Sequence, residues 1–159
     1  MEPLAELLDL PKEYGKPKEP LEWATVRAEL ERAERYWIAT VRDDGRPHSV
    51  PVDGIWLGEA WYYGGSPEAV HHRSVMANPD VVMHLEDAMK AVIVEGQVRH
   101  AIPPEEVARK LAEASRQKYG YGMDAGDYEK GGVLMLRPRR VMAWMSFPTD
   151  ATRFRFVDG

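Results

Sequence analysis

The stretch YWIATVRDDGRPHSVPVDGIWLGEAWYYGG, residues 36–65, decides the fold. From Tyr36 the chain alternates: Ile38, Thr40 and Arg42 face one way, Trp37, Ala39 and Val41 the other, the period of a strand. Asp43-Asp44-Gly45-Arg46 then supplies a hairpin turn, with Gly45 able to take a positive φ. A second strand is expected from His48 to Leu57. Gly58-Glu59 turns it, and Ala60 to Gly64 reads as a third strand rich in aromatics. Three strands joined by tight turns predict an antiparallel meander.

Working outward, residues 1–20 read as an arm, because Pro3, Pro11, Pro17 and Pro20 forbid a long helix. From Leu21 the apolar residues Trp23, Val26, Leu30 and Ala33 recur near the helical period. After the third strand, Ser66-Pro67-Glu68 has the form of a helix start: a hydroxyl cap, a proline and an acid. That helix is expected to end before Asn78-Pro79. Strands follow at Val81–Glu86 and Ala91–Ala101. Pro103-Pro104-Glu105-Glu106 opens a helix with Val107, Leu111 and Ala114 on its apolar face. Tyr119–Gly132 reads as a loop. Val133–Met145 is a long strand in which Pro138 implies an edge or a bulge, and Thr152–Val157 is a short last strand. The expected fold is mainly β (α+β): an antiparallel, Greek-key split β-barrel of six or seven strands with two or three flanking helices, one domain over 21–159.

The bulk numbers agree with one globular domain. The chain has 159 residues, 44% hydrophobic and 30% charged, enough to bury a core unaided. With no cysteine, disulfides, thiol nucleophiles and Cys-ligated metals are excluded. The net charge of −5 argues against nucleic acid as a partner. No apolar run is long enough to span a bilayer and the N-terminus lacks the form of a secretory signal, so no membrane association and a cytoplasmic location are the expectation.

Catalytic motifs are missing: there is no GxSxG, P-loop or Rossmann glycine pattern. A metal is not expected. His71 and His72 diverge by roughly 100° on a helix, and His84 with Glu86 makes only a pair, too few for a closed site. The helix beginning at Ser66 is more informative. Its N-terminus offers unpaired amides and the positive end of a dipole, and His71, Arg73 and Ser74 can donate to phosphate oxygens. Positions 71 and 74 share a helix face, whereas 71 and 73 do not.

The run from Ala39 to Val52 with "DGRPH" at its turn, then Trp61-Tyr62-Tyr63-Gly64-Gly65, then His71-His72-Arg73-Ser74-Val75-Met76-Ala77-Asn78-Pro79 resembles the pyridoxamine 5′-phosphate oxidase-like split β-barrels, which include flavin- and deazaflavin-dependent oxidoreductases. The resemblance covers about Leu21 to Phe156. It implies a homodimer with cofactor sites at the subunit interface. It implies that His48, Ser49, Val50, Pro51 and Val52 run along the flavin ring, and that Tyr63, Gly64, Gly65, Ser66, His71, Arg73 and Ser74 hold the phosphate. Trp144 matches a region that approaches the partner's cofactor. Many members carry lysine where this chain has His71 and asparagine where it has Ser74. A histidine there implies that binding weakens above about pH 7. Tyr121, with Trp56, Trp61, Tyr63 and Trp144, is a candidate for the wall of an apolar cavity beside the ring, plain core packing being the favoured reading of Trp56 and Trp61. FMN is the expected cofactor, with the deazaflavin coenzyme F-420 as a near-equal alternative and haem behind both. Arg137, Arg139, Arg140, Arg153 and Arg155 are candidates for a track that holds an acidic cofactor tail. The implied activity is hydride transfer between the bound ring and a small organic substrate, the ring doing the chemistry and the protein positioning it. The alternative is a non-catalytic flavin- or haem-binding storage or sensor module of the same fold.

Overall fold

A computed structural model describes residues 2–157. Among them, nine strands form one antiparallel sheet, β1 (Leu4–Leu7), β2 (Tyr36–Val41), β3 (Pro47–Val52), β4 (Gly54–Leu57), β5 (Ala60–Tyr63), β6 (Asp80–His84), β7 (Ala91–Ala101), β8 (Val133–Trp144) and β9 (Thr152–Arg155). The helices are α1 (Trp23–Arg32), α2 (Val70–Ala77), α3 (Glu105–Tyr119) and α4 (Ala125–Gly131). The strand order is β1-β9-β8-β7-β6-β2-β3, and the β4–β5 hairpin attaches to β8. Architecture and class are those expected, with more strands and helices than the sequence suggested.

The first difference lies inside the deciding stretch. The run from His48 to Leu57 is two strands, broken at Asp53. Val52 still pairs with Tyr36 on β2, whereas Gly54 pairs with Tyr63 on β5. Residues 36–64 are thus two hairpins facing opposite parts of the barrel rather than a meander. Gly54 makes the corner possible: a Cβ there would lie 2.3 Å from Trp61 Nε1, so the indole packs against bare backbone. The second difference is the arm. Leu4–Leu7 pairs with β9 and extends the sheet, and the amides of Lys18 and Glu19 donate to Thr149 O. The third is α4, inside the expected loop, which opens with a reciprocal capping box between Asp124 and Asp127.

The bulge foreseen at Pro138 is present. Glu95 pairs with Arg140 and Gly96 with Pro138, which leaves Arg139 without an opposite residue. Pro138 has no amide to donate, and the bulge removes the need for one.

Alternation along the strands fills the barrel. Tyr36, Ile38, Met83, Val94, Val141 and Phe154 are fully buried with Trp61. Helix α1 adds Trp23, Val26 and Leu30 to this core, Trp23 packing 5.2 Å from Phe154 and 6.2 Å from Trp56. A second cluster, Ile55 with Leu111, Ala108, Tyr128 and Val133, seats α3 and α4 on β4 and β8. At its margin the half-buried Lys118 donates to Ala33 O at 2.6 Å, Tyr36 Oη at 3.0 Å and Gly54 O at 3.3 Å. One ammonium group therefore ties α3 to α1, β2 and the Gly54 corner. Lys118→Met leaves those acceptors without their donor, and a loss of about 2 kcal/mol is expected. Urea unfolding checks this; an unchanged midpoint would contradict the role.

Candidate functional site

Three stretches close on one cavity of about 760 Å³. Strand β3 brings Pro51 and Val52, the end of β5 brings Tyr63-Gly64-Gly65, and α2 brings His71 and His72. Of the residues proposed from sequence, the cavity thus gathers Pro51, Val52, Tyr63, Gly64, Gly65 and His71. Tyr121, also foreseen for a cavity wall, lies across from them.

Backbone chemistry explains the convergence. Gly65 has a φ of +143°, and a Cβ there would stand 2.9 Å from Cε1 and Nε2 of His71. The imidazole edge therefore lies against bare main chain. His71 is 6% exposed and its Nδ1 has no hydrogen-bond partner in the protein. The buried Tyr63 hydroxyl is likewise unpartnered, and the two rings lie 5.9 Å apart. Burial holds the His71 pKa below the ordinary histidine value, helped by the nearby His72 and His48. Burial alone pushes the Tyr63 phenol up. Two unpartnered buried polar atoms thus belong to residues of the cavity wall, where such atoms ordinarily carry a cost.

Ser66 does not cap α2. Its Oγ accepts from the Glu68 amide at 3.1 Å, and its carbonyl accepts from the Ala69 amide at 2.9 Å, so Ser66-Pro67-Glu68 is a turn before the helix. Helix α2 starts at Val70 with no side-chain cap. Arg73 N to Ala69 O is its first helical bond at 3.1 Å, and the amides ahead of it have no intrahelical acceptor.

Other expected residues lie elsewhere. Arg73 and Ser74 border a smaller hollow of about 280 Å³ with Arg42. His48 Nδ1 lies 2.9 Å from Arg42 Nη2, which places it on that side too. Positions 71 and 74 are both buried, as their shared face requires, yet they open on different hollows. Val50 packs on the barrel core. Ser49 is exposed opposite Ala39. Trp144 sits at the end of β8, paired with Ala91 and packed 5.1 Å from Phe147, and does not line the cavity of its own chain. Trp56 and Trp61 are core residues. Among the described residues neither lysine nor arginine lines the cavity, so the five arginines form no track along it. Arg139, Arg140 and Arg155 border a separate hollow of about 780 Å³. There Arg140 pairs with Glu95, and Arg155 lies 3.2 Å from Glu6.

The sequence reading missed most of the far wall. Tyr119 and Met123, with Tyr128 of α4, complete it beside Tyr121. Asp53, at the break between β3 and β4, also lines the cavity and binds Arg35 Nε at 2.9 Å. Among the described residues no three His, Asp or Glu side chains are grouped to hold a metal, and no helix is long and apolar enough to cross a membrane.

An antiparallel split barrel with a cavity walled by β3, β5 and α2 defines the class. The family model described as pyridoxamine 5′-phosphate oxidase matches residues 23–155, and the chain belongs to that family. Among solved structures it is similar to an F-420 reductase (23% identity, covering 72% of this chain and 94% of that one, TM-score 0.56). It is also similar to a NimC/NimA family protein from Clostridium acetobutylicum (17%, 84% and 91%, TM-score 0.63) and to HutZ, the haem storage protein from Vibrio cholerae (19%, 72% and 86%, TM-score 0.52). No curated protein matches the chain.

Proposed function

We propose that this protein is an oxidoreductase that holds FMN in the cavity between β3, β5 and α2 and transfers hydride to or from a small organic substrate. The observation that carries this is the convergence of Pro51, Val52, Tyr63, Gly64, Gly65 and His71 on one cavity whose wall includes two unpartnered buried polar groups. These residues fit a ring-and-phosphate cofactor. Bare backbone at Gly64-Gly65 admits close approach, the uncapped start of α2 favours an anion, and His71 supplies a donor. When bound, the flavin supplies the hydride chemistry. The protein's part is to orient the ring along Pro51-Val52, to hold the phosphate end near His71, and to exclude water with the tyrosine wall. The deazaflavin F-420 has the same ring requirement. The absence of lysine and arginine from the cavity favours FMN over a cofactor with a long acidic tail.

A homodimer belongs to this reading. On the outer face of the sheet, Pro51, Trp37, His84, Ile93 and Met142 are successive neighbours across β3, β2, β6, β7 and β8. Trp37 is 37% exposed and stacks on His84, so this face presents apolar surface. Strand β6 is the middle of the five. A two-fold axis lying outside this face, over β6 and parallel to it, sets β7 opposite the other copy's β2 and β8 opposite its β3, laying the end of β8 that carries Trp144 over the β3 of the other copy. Trp144 would then complete the partner's site. Haem is the second reading, favoured by the histidines His71, His72 and His100 in the wall.

Native mass spectrometry with an absorbance spectrum of freshly purified protein tests these statements together. A dimer carrying one flavin per chain, with the two-band spectrum of oxidised flavin, is expected. A single deazaflavin band or a Soret band would replace the cofactor, and a colourless monomer that takes up no flavin would overturn the reading.

A further inference from the structure

The wall opposite the cofactor groups is built around one exposed residue. Tyr121 is 57% exposed, yet it is held on several sides. Its hydroxyl donates to the Asp53 carboxylate, and Arg35 Nε fixes that carboxylate from the other side at 2.9 Å. Its ring stacks on Tyr119 at 5.7 Å and 28°, and the Arg35 guanidinium lies 4.9 Å above the Tyr119 ring. The Tyr119 hydroxyl in turn donates to Glu34 O at 2.6 Å and accepts from the Gly54 amide at 2.9 Å. Main chain on both sides of Tyr121 is constrained as well. Gly120 ends α3 at φ +75°, and Gly122, at φ +154°, lies so close to Ser115 that a Cβ would be 2.8 Å from Ser115 Cβ. An exposed aromatic ring ordinarily rotates freely; this one is held by a carboxylate and a stacked neighbour.

The surroundings set the chemistry of what the ring can meet. On this side the cavity offers Tyr119, Met123, Tyr128 and Leu111, and no lysine or arginine. Asp53 is the carboxylate of the wall and is already engaged. The two cations behind this wall are already engaged, Arg35 by Asp53 and Lys118 by Ala33 O, Tyr36 Oη and Gly54 O, so an anionic substrate would have to draw one of them from its partners, and a cationic one would have to displace Arg35. The electron-rich face of a tyrosine favours offset stacking with an electron-poor ring. We propose that Tyr121, positioned by Asp53, is the specificity-determining residue of this protein, a shelf on which a planar, uncharged, electron-poor ring stacks beside the cofactor. The proposal rests on the placement of the cofactor along Pro51-Val52, and it adds the class of the second ligand. Asp53 connects the two, since it follows Val52 directly and its carboxylate anchors the shelf.

The test is the binding of 1,4-naphthoquinone, followed by quenching of protein fluorescence, against its anionic analogue 1,4-naphthoquinone-2-sulfonate. Both are titrated into wild type, Tyr121→Ala, Tyr121→Phe and Asp53→Asn, with and without saturating FMN. Tyr121→Ala is expected to weaken the neutral quinone by about five- to tenfold. Tyr121→Phe keeps the ring and should stay within about threefold of wild type, and Asp53→Asn should fall between the two. The sulfonate should bind wild type at least about tenfold more weakly than the neutral compound. FMN affinity is titrated separately in each of the four proteins, and the quinone affinities are compared at equal FMN occupancy and again without FMN. Equal quinone affinity in wild type and Tyr121→Ala, or tight binding of the sulfonate, would overturn the shelf. Failure of wild type to take FMN defeats the cofactor reading instead, and the dependence on Tyr121 measured without FMN still decides the shelf.

Discussion

Gly96→Ala is expected to cost about 3 kcal/mol, a large fraction of the stability of a domain this size. The reason is local and steric. A Cβ at position 96 would lie 2.1 Å from the carbonyl oxygen of Arg137 and 3.0 Å from Leu136 Cδ1. Neither neighbour can move cheaply. Arg137 O is main chain inside the longest strand pair, β7 with β8, and Leu136 is fully buried. The bulge that accommodates Pro138 depends on this close approach, so adding one methyl group opposes the only arrangement that spares the missing amide. Gly126→Ala is the matched control. It lies in α4 with nothing within 4 Å of its would-be Cβ and without a positive φ, so the change should be neutral or stabilise by a few tenths to about 1 kcal/mol. Urea unfolding of the two variants side by side reads the difference. A Gly96→Ala midpoint equal to that of Gly126→Ala would show that the ladder relaxes around the methyl group and that the bulge is not the constraint described.

The bulge was legible because proline carries its constraint in its covalent structure. The same holds for the turn at Gly45, where φ is +83°, and for α1, whose Trp23, Val26 and Leu30 reach the core. Features set by tertiary pairing were not legible. Nothing in the alternation from His48 to Leu57 says that the chain changes partners at Asp53. A glycine within a strand pattern was the available signal, and its meaning depends on Trp61, seven residues on. Strand β1 was hidden because four residues between prolines are too few for a period to register. Helix α4 had a signal in Asp124 and Asp127, spaced as a capping pair, although glycine at 126, 131 and 132 masked it. The site divides in the same way. The half built from strand ends and α2 follows from short-range pattern and family resemblance. The tyrosine wall requires α3 to fold back over β4, a contact between residues some sixty-five positions apart, as the Tyr119–Gly54 hydrogen bond records. Trp144 was placed in the site by resemblance, and within one chain it does not line the cavity.

The second large effect is the pH dependence of cofactor binding at His71. In the free protein the His71 pKa lies below its ordinary value, because burial penalises the charged form and His72 and His48 add to the penalty. The ring is therefore mostly neutral at pH 7. A bound phosphate dianion favours the imidazolium and raises the pKa in the complex. Protons are then taken up on binding at every pH between the free and the bound pKa. Affinity must fall as pH rises through that window and level off above the bound pKa. Because the free value is depressed, the window begins below the ordinary histidine pKa, lower than the residue type alone would place it. A five- to tenfold weakening of FMN between about pH 6.5 and 8.5 is expected, the size of roughly one charge-assisted hydrogen bond. Measurements should stay above about pH 6, where the phosphate itself begins to protonate. His71→Gln should bind with the weaker affinity and a flat profile. His71→Lys, charged throughout the range, should bind tightly at pH 8.5 and also be flat. Fluorescence titration of FMN at four pH values reads all three proteins. Parallel profiles for wild type and His71→Gln would remove His71 from the phosphate and shift the anion to Arg42 and Arg73, on the other side of α2.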